Sequence, residues 1–194
     1  EEGQNFYLKP MNCPFHHLVF GHRPRSYREL PLRLAEYGQV YRYEPSGTLA
    51  GLLRVRGMCM NDAHIYCTPE QLEEEFRAVL ELRRRYYDMF RISRYWMRLS
   101  LHDPQNTAKY VQNPEAWEQS EKAIRRVMDS MDIEYEEALG EAAFYGPKVD
   151  FQIRNVVGRE ETASTNQLDF AVPERFGLTY IGPDGEMHTP YCIH

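Results

Sequence analysis

The sequence has no Cys-x-x-Cys pair, and its four cysteines, at 13, 59, 67 and 192, are scattered. That spacing excludes a two-cysteine redox motif and points to a reducing compartment, with free thiols or metal ligands. No apolar run approaches the roughly 20 residues of a bilayer crossing, and no leader-like segment opens the chain. Low-complexity tracts and internal repeats are also missing. Positive charge is in deficit: 23 Lys and Arg stand against 29 Asp and Glu, a net −6. The surface as a whole therefore does not attract nucleic acid, and any polyanion contact must be local.

What is present is ordinary for a globular domain. Hydrophobic residues make up 42% and charged residues 27% of 194 positions, enough for one sizeable core. The chain opens at Glu1 without a Met and closes at His194 inside an extended apolar pattern. We read it as a piece of a larger protein.

Residues 5–11 look extended and enter a turn at Asn12, and His16 to Phe20 fits one short helix. Ser26-x-x-Glu29 is a capping box, read as opening a helical stretch interrupted by Pro31 and ended by Gly38. Val40 to Glu44 and Leu52 to Met58 read as strands of an antiparallel hairpin around a 45–51 loop. Thr68-Pro69-Glu70-Gln71 starts a helix with Leu72, Phe76, Val79, Leu80, Tyr87 and Phe90 inward. Tyr95, Met97, Leu99 and Leu101 alternate as a strand. Asn113-Pro114 starts a second helix with Trp117, Ile124, Val127, Met128 and Met131 inward. Residues 145–154, 167–172, 178–181 and 187–194 read as strands, the last pair turned by Pro183-Asp184-Gly185. The expected fold class is α+β, a mostly antiparallel sheet flanked by helices.

The hairpin carries the first chemistry. Residues i and i+2 of a strand share a face, so Arg42 joins Glu44, and Arg54 joins Arg56 and Met58. With strands paired symmetrically about the loop, Arg42 lies opposite Arg54. Like charges across a pair are destabilising, and a phosphate between two guanidinium groups offsets that. A solvated strand face with surface arginines is the plainer reading of the same pattern.

Arg42-Tyr43-Glu44, the Pro-Ser-Gly loop and Arg54-Val55-Arg56-Gly57 resemble motif 2 of class II aminoacyl-tRNA synthetases. Further segments resemble the threonyl-tRNA synthetase family: Lys9 to Pro14, Ser26 to Arg33, Asp62 to Ile65, Ala143 to Lys148 and Gln167 to Phe170. They occur in that family's order along nearly the whole chain. The resemblance implies an ATP-dependent ligase that makes threonyl adenylate and transfers threonine to tRNA(Thr). It places Arg42 on the α-phosphate, Glu44 on the adenine amino group and Arg54 on the ATP phosphates, with Mg²⁺ accompanying the nucleotide. Met58 stands where the family usually stacks an aromatic residue on adenine. Met is polarizable enough to pack on a ring face.

The resemblance also implies one Zn²⁺ per subunit on Cys13, His64 and His194. Spacing alone fits a buried free cysteine and two unrelated histidines equally well. Three N/S ligands leave a fourth position open for a substrate, here the amino and hydroxyl groups of threonine. Asp62 then accepts from that hydroxyl, which selects against valine. By the same resemblance Tyr145 assists the amino group, Lys148 serves the carboxylate or phosphate side, and Met11 lines the threonine pocket. Their plainer readings are a core aromatic, a surface charge and core packing. Gln167 either faces the site or has no role. His16, His17 and His22 read as loop or helix-surface residues, and His188 as a spare histidine on the strand of His194.

Two departures stand out. Residues 160–166 replace a Trp-Gln-Cys stretch of the family, and Thr162 is a poor substitute for its amide. Motifs 1 and 3 and an anticodon-binding domain are absent, so residues 1–194 read as part of one catalytic domain, inactive alone. A homodimer and a cytoplasmic location are expected for the full-length protein, with no membrane partner. The alternatives are a synthetase-derived threonine- or RNA-binding module without aminoacylation, and another class II synthetase such as a prolyl or seryl enzyme.

Overall fold

A computed structural model describes residues 3–194. The elements run α1 (Cys13–Gly21), β1 (Leu32–Tyr41), β2 (Gly57–Cys67), α2 (Leu72–Met89), β3 (Tyr95–Leu101) and α3 (Pro114–Ser130). Then come β4 (Tyr135–Leu139), β5 (Lys148–Arg154), β6 (Glu160–Asp169), α4 (Val172–Arg175), β7 (Tyr180–Ile181), β8 (Met187–His188) and β9 (Tyr191–Ile193). Seven strands form one sheet in the order β1-β2-β9-β6-β5-β3-β4. All its pairs are antiparallel except β3 with β4. The fold is therefore the expected α+β class. Among the described residues no helix is long and apolar enough to cross a membrane.

One sheet face is sealed by the two long helices. Leu72, Phe76 and Leu80 of α2 and Ile124, Val127 and Met128 of α3 are buried there. They pack on Leu99, Val149, Phe151, Leu168 and Ile193 from four strands. Both helices begin as the sequence predicts. Thr68 and Gln71 form a capping box, and the Asn113 side chain accepts from the Ala116 amide. Phe90, expected inward, lies just past the end of α2 and is 71% exposed.

The opposite face belongs to the short N-terminal helix. Phe20 of α1 packs with Tyr66, Cys192, Leu178 and Tyr180. Strand alternation then decides what else points that way. Leu34 pairs with His64, Gln167 with Lys148 and Lys148 with Ser100. Gln167 and His194 exchange both backbone hydrogen bonds, 2.9 and 2.8 Å. One rung of the sheet thus carries His64, His194, Gln167 and Lys148 side by side.

Three expectations are corrected. The capping box at Ser26 is real, but it closes only a single 3-10 turn, Tyr27–Glu29. Residues 32–41 are strand β1, not helix: Pro31 has no N–H to continue a helix, and Leu32 and Leu34 alternate with exposed residues. The hairpin register is shifted by two. Tyr41 faces Gly57, and the Arg42 amide bonds to the Arg56 carbonyl at 2.8 Å. Arg42 is therefore opposite Arg56, and residues 42–56 form one long excursion with a small bridge between Ala50 and Arg54. The last strand splits in two, because Thr189-Pro190 separates β8 from β9.

Candidate functional site

Cys13 is the first residue of α1, whose N-cap is Asn12. The helix holds it close to His64 of β2 and to His194, the residue after β9. Ligand atoms of Cys13, His64 and His194 all lie within 4.8 Å of one another. His64 is fully buried, and its Nε2 has no hydrogen-bond partner among the described residues. Burial, then the nearby His194, His16 and His17, push its pKa down to about 2. It is therefore the neutral imidazole that a metal requires. The other histidine is oriented from behind. Nε2 of His194 lies 2.9 Å from Asp169 Oδ2, which leaves Nδ1 for the cluster. Asp169 is itself fixed, since its Oδ1 accepts from the amides of Ala171 and Val172 at 2.9 and 2.8 Å. A carboxylate behind a ligating histidine is a recurrent support of metal sites. One thiol, two imidazoles and an unsatisfied buried nitrogen fit a zinc-type ion with an open position.

His16 and His17 were expected on a loop or helix surface, and both are buried. Local pattern could not reveal this, because the covering comes from β2 and β9. His17 Nδ1 lies 2.7 Å from the Tyr66 hydroxyl. Burial first, then His194, lowers its pKa to about 4. The unfolded chain takes up that proton near 6.5, so between pH 6.5 and 4 it binds more protons than the folded one. Stability is accordingly expected to fall as pH drops through that window, by roughly 3 kcal/mol from this residue. Urea midpoints at pH 7 and 4 for the metal-free protein and His17→Gln check it. The variant should lose that share of the pH dependence, and equal slopes would disprove it. His188 sits in the β7–β8 hairpin, paired with Asp184 at 2.8 Å, and does not join the cluster. His22 is exposed, as expected.

Asp62 precedes His64 by two residues on the same face of β2. Its Oδ2 accepts from Asn12 Nδ2 at 3.0 Å. Gly38 on β1 makes room for that amide: a Cβ there would lie 2.2 Å from Asn12 Oδ1. Tyr145 stacks obliquely on His194, ring centroids 5.6 Å apart, and its hydroxyl donates to Gln167 Oε1. Burial raises its pKa to about 12, so it remains a donor. Lys148 Nζ lies 2.5 Å from the buried Asp150. Met11 is 48% exposed. Thr162 bonds to the Gln152 amide at 2.9 Å.

The hairpin presents its cations to solvent. Arg42 is exposed. Arg54 reaches Glu44 with Nε at 3.1 Å and Nη2 at 3.0 Å. Arg56, given no ligand role from sequence, braces the loop through the Glu44 carbonyl at 2.9 Å and Ser46 Oγ at 3.1 Å. Met58 is half-buried opposite Val40. Asn12 and Asp169 went unassigned from sequence. The signal for Asp169 is its strand position opposite Cys192, visible only once the pairing is known.

All 194 residues match the family described as the tRNA synthetase class II core domain (G, H, P, S and T). The threonine–tRNA ligase of Streptococcus gordonii is 54% identical over 193 residues, and that of Streptococcus pneumoniae 55%. The chain spans 30% of the length of these curated relatives, all of itself being covered. Among solved structures it is similar to the RNA-binding domain of threonyl-tRNA synthetase from Cryptosporidium parvum. That match has a TM-score of 0.86 and 37% identity, over 95% of this chain and 46% of the other. A putative threonyl-tRNA synthetase from Aeropyrum pernix follows with a TM-score of 0.81 and 35% identity, over 95% and 43%.

Proposed function

The chain belongs to the tRNA synthetase class II core-domain family, and from that premise we propose that it is part of the catalytic domain of a threonine–tRNA ligase. On this reading residues 1–194 contain motif 2 and lack motifs 1 and 3; Glu1 and Glu2 lie outside the described residues. The full-length protein activates threonine with ATP and Mg²⁺, passes it to tRNA(Thr), and works as a homodimer in the cytoplasm. The observation that carries the reading is the Cys13, His64 and His194 cluster with Asp62 on the same face.

Cys13, His64 and His194 would hold a Zn²⁺ ion, which would supply Lewis-acid binding of the threonine substrate. The chain's own residues do the selecting. Asp62, oriented by Asn12, accepts from the substrate hydroxyl. Tyr145, a donor fixed on Gln167, stands beside the amino group. Arg42 and Arg54 take the ATP phosphates, and Glu44 exchanges its ion pair with Arg54 for the adenine amino group. Lys148 neutralises charge on the carboxylate or phosphate side, where charge builds during adenylate formation.

The test is threonine-dependent ATP–pyrophosphate exchange by the chain with the flanking segments its relatives carry. Exchange with threonine is expected to exceed that with valine by about 10⁴–10⁵. Folded, metal-loaded protein that exchanges with no amino acid, or prefers proline or serine, overturns the reading. Asp62→Ala removes a hydrogen bond to a charged group worth about 1.5–3 kcal/mol. It is expected to cost threonine about 10- to 150-fold in kcat/KM and to leave valine nearly unchanged. A parallel loss for both amino acids would show that Asp62 shapes the fold and does not read the hydroxyl.

A further inference from the structure

The metal cluster continues one layer outward. His16 lies one turn after Cys13 on α1, and its Nδ1 is 2.7 Å from His64 Nδ1. The two rings meet edge to face, centroids 4.8 Å apart. On its other side, His16 Nε2 is 3.2 Å from Glu36 Oε1. Glu36 stands on β1 directly across from Asp62, and its second oxygen is 3.5 Å from Lys9 Nζ. A chain of contacts thus runs Glu36, His16, His64, and ends at His64 Nε2, which has no partner among the described residues.

Counting protons allows one consistent assignment. A neutral imidazole carries a single N–H. If His64 offers Nε2 to a metal, its proton is on Nδ1 and points at His16 Nδ1. That nitrogen must then accept, so the proton of His16 is on Nε2 and is donated to Glu36. One carboxylate thereby sets the tautomer of a ring it does not touch. Asp169 does the same for His194 in a single step. Both nitrogens of His16 are engaged in this way, so it is not itself a ligand.

We propose that His16, anchored by Glu36, is a positioning residue that holds His64 in the tautomer and orientation that place Nε2 in the metal site. The proposal rests on reading Cys13, His64 and His194 as that site, and adds two residues to which that reading gives no part.

The test is metal affinity. Zn²⁺ is titrated against a chelator, and Co²⁺ is used as a spectroscopic probe, in the wild type and in His16→Ala, His16→Asn, Glu36→Gln and His64→Ala. His16→Ala is expected to bind Zn²⁺ at unchanged stoichiometry but about 10- to 100-fold more weakly, with an altered Co²⁺ spectrum. His16→Asn places an amide oxygen near the lost Nδ1 and should recover much of the affinity. Glu36→Gln keeps an acceptor without the charge and should fall between. Circular dichroism of the metal-free variants separates misfolding from a site effect, and the Asn and Gln variants keep the question answerable if Ala fails to fold. Wild-type affinity and spectrum in His16→Ala overturn the proposal. So does complete loss of binding equal to that of His64→Ala, which would make His16 a ligand. A wild type that binds no metal overturns the underlying site reading as well, and is recognised because no variant is then needed to see it.

Discussion

Alanine at Cys13 or at His64 is expected to empty the metal cluster. Freshly purified wild type should carry about one Zn²⁺ per chain, the count for a three-ligand site with one open position. Cys13→Ala leaves two imidazoles without a thiolate, and His64→Ala removes the ligand whose Nε2 has no hydrogen-bond partner among the described residues. Either change should lower the metal content to background after dialysis against a weak chelator. Cys59→Ala is the control, because Cys59 is exposed and stands outside the cluster. Its zinc content should match the wild type. The same ligand variants should lose threonine-dependent exchange by at least about 10³, since two ligands of a site that requires three seldom hold an ion that competes with water. Binding of ATP alone should survive, because Arg42, Glu44 and Arg54 sit on the separate 42–56 excursion. Zinc retained in both variants would remove the cluster from the function. Loss of ATP binding alongside zinc would mean that the ion braces the fold.

The residues of this cluster were found by resemblance, while local pattern supplied the scaffold around them. Helices α2 and α3 and strand β3 are legible because their apolar spacing is regular and their caps are standard. Strand β6 is not, over Glu160 to Asn166. That run is polar, and it becomes strand only because β5 pairs with it along its length. The same limit explains the N-terminal helix. His16 and His17 look like surface residues until β2 and β9 are laid beneath them. The hairpin shows a third kind of failure. Symmetric pairing about the 45–51 loop puts Arg42 opposite Arg54, whereas the pairing ends at Tyr41 and Gly57 and Arg56 folds back on Glu44 and Ser46. Register, burial and second contacts of a site residue are long-range properties, and a single strand's alternation does not contain them.

The largest loss of stability is expected from one methyl group at Gly146. A Cβ there would lie 1.8 Å from the Leu168 carbonyl oxygen and 2.9 Å from its carbon. Both are backbone atoms of a residue with no exposed surface, so no side chain can swing aside. Nor can the glycine back away. The Leu168 amide bonds to Pro147 O at 3.0 Å, and the Phe170 amide to Tyr145 O at 3.3 Å. These two bonds hold the segment against β6 on either side of Gly146. Relief of the clash breaks both and lifts Tyr145 from Gln167 and His194. We expect Gly146→Ala to cost more than about 4 kcal/mol, a large part of the roughly 5–15 kcal/mol available to a domain. Gly47→Ala is the matched control, because nothing lies within 4 Å of its added Cβ, and its denaturation midpoint should hardly move. If Gly146→Ala matches that control, the 145–147 segment does not lie on β6 as described, and the placement of Tyr145 beside the metal cluster falls with it. If it destabilises as expected, the glycine between Tyr145 and Lys148 has a physical reason: a Cβ there would meet the Leu168 backbone and push Tyr145 away from Gln167 and His194.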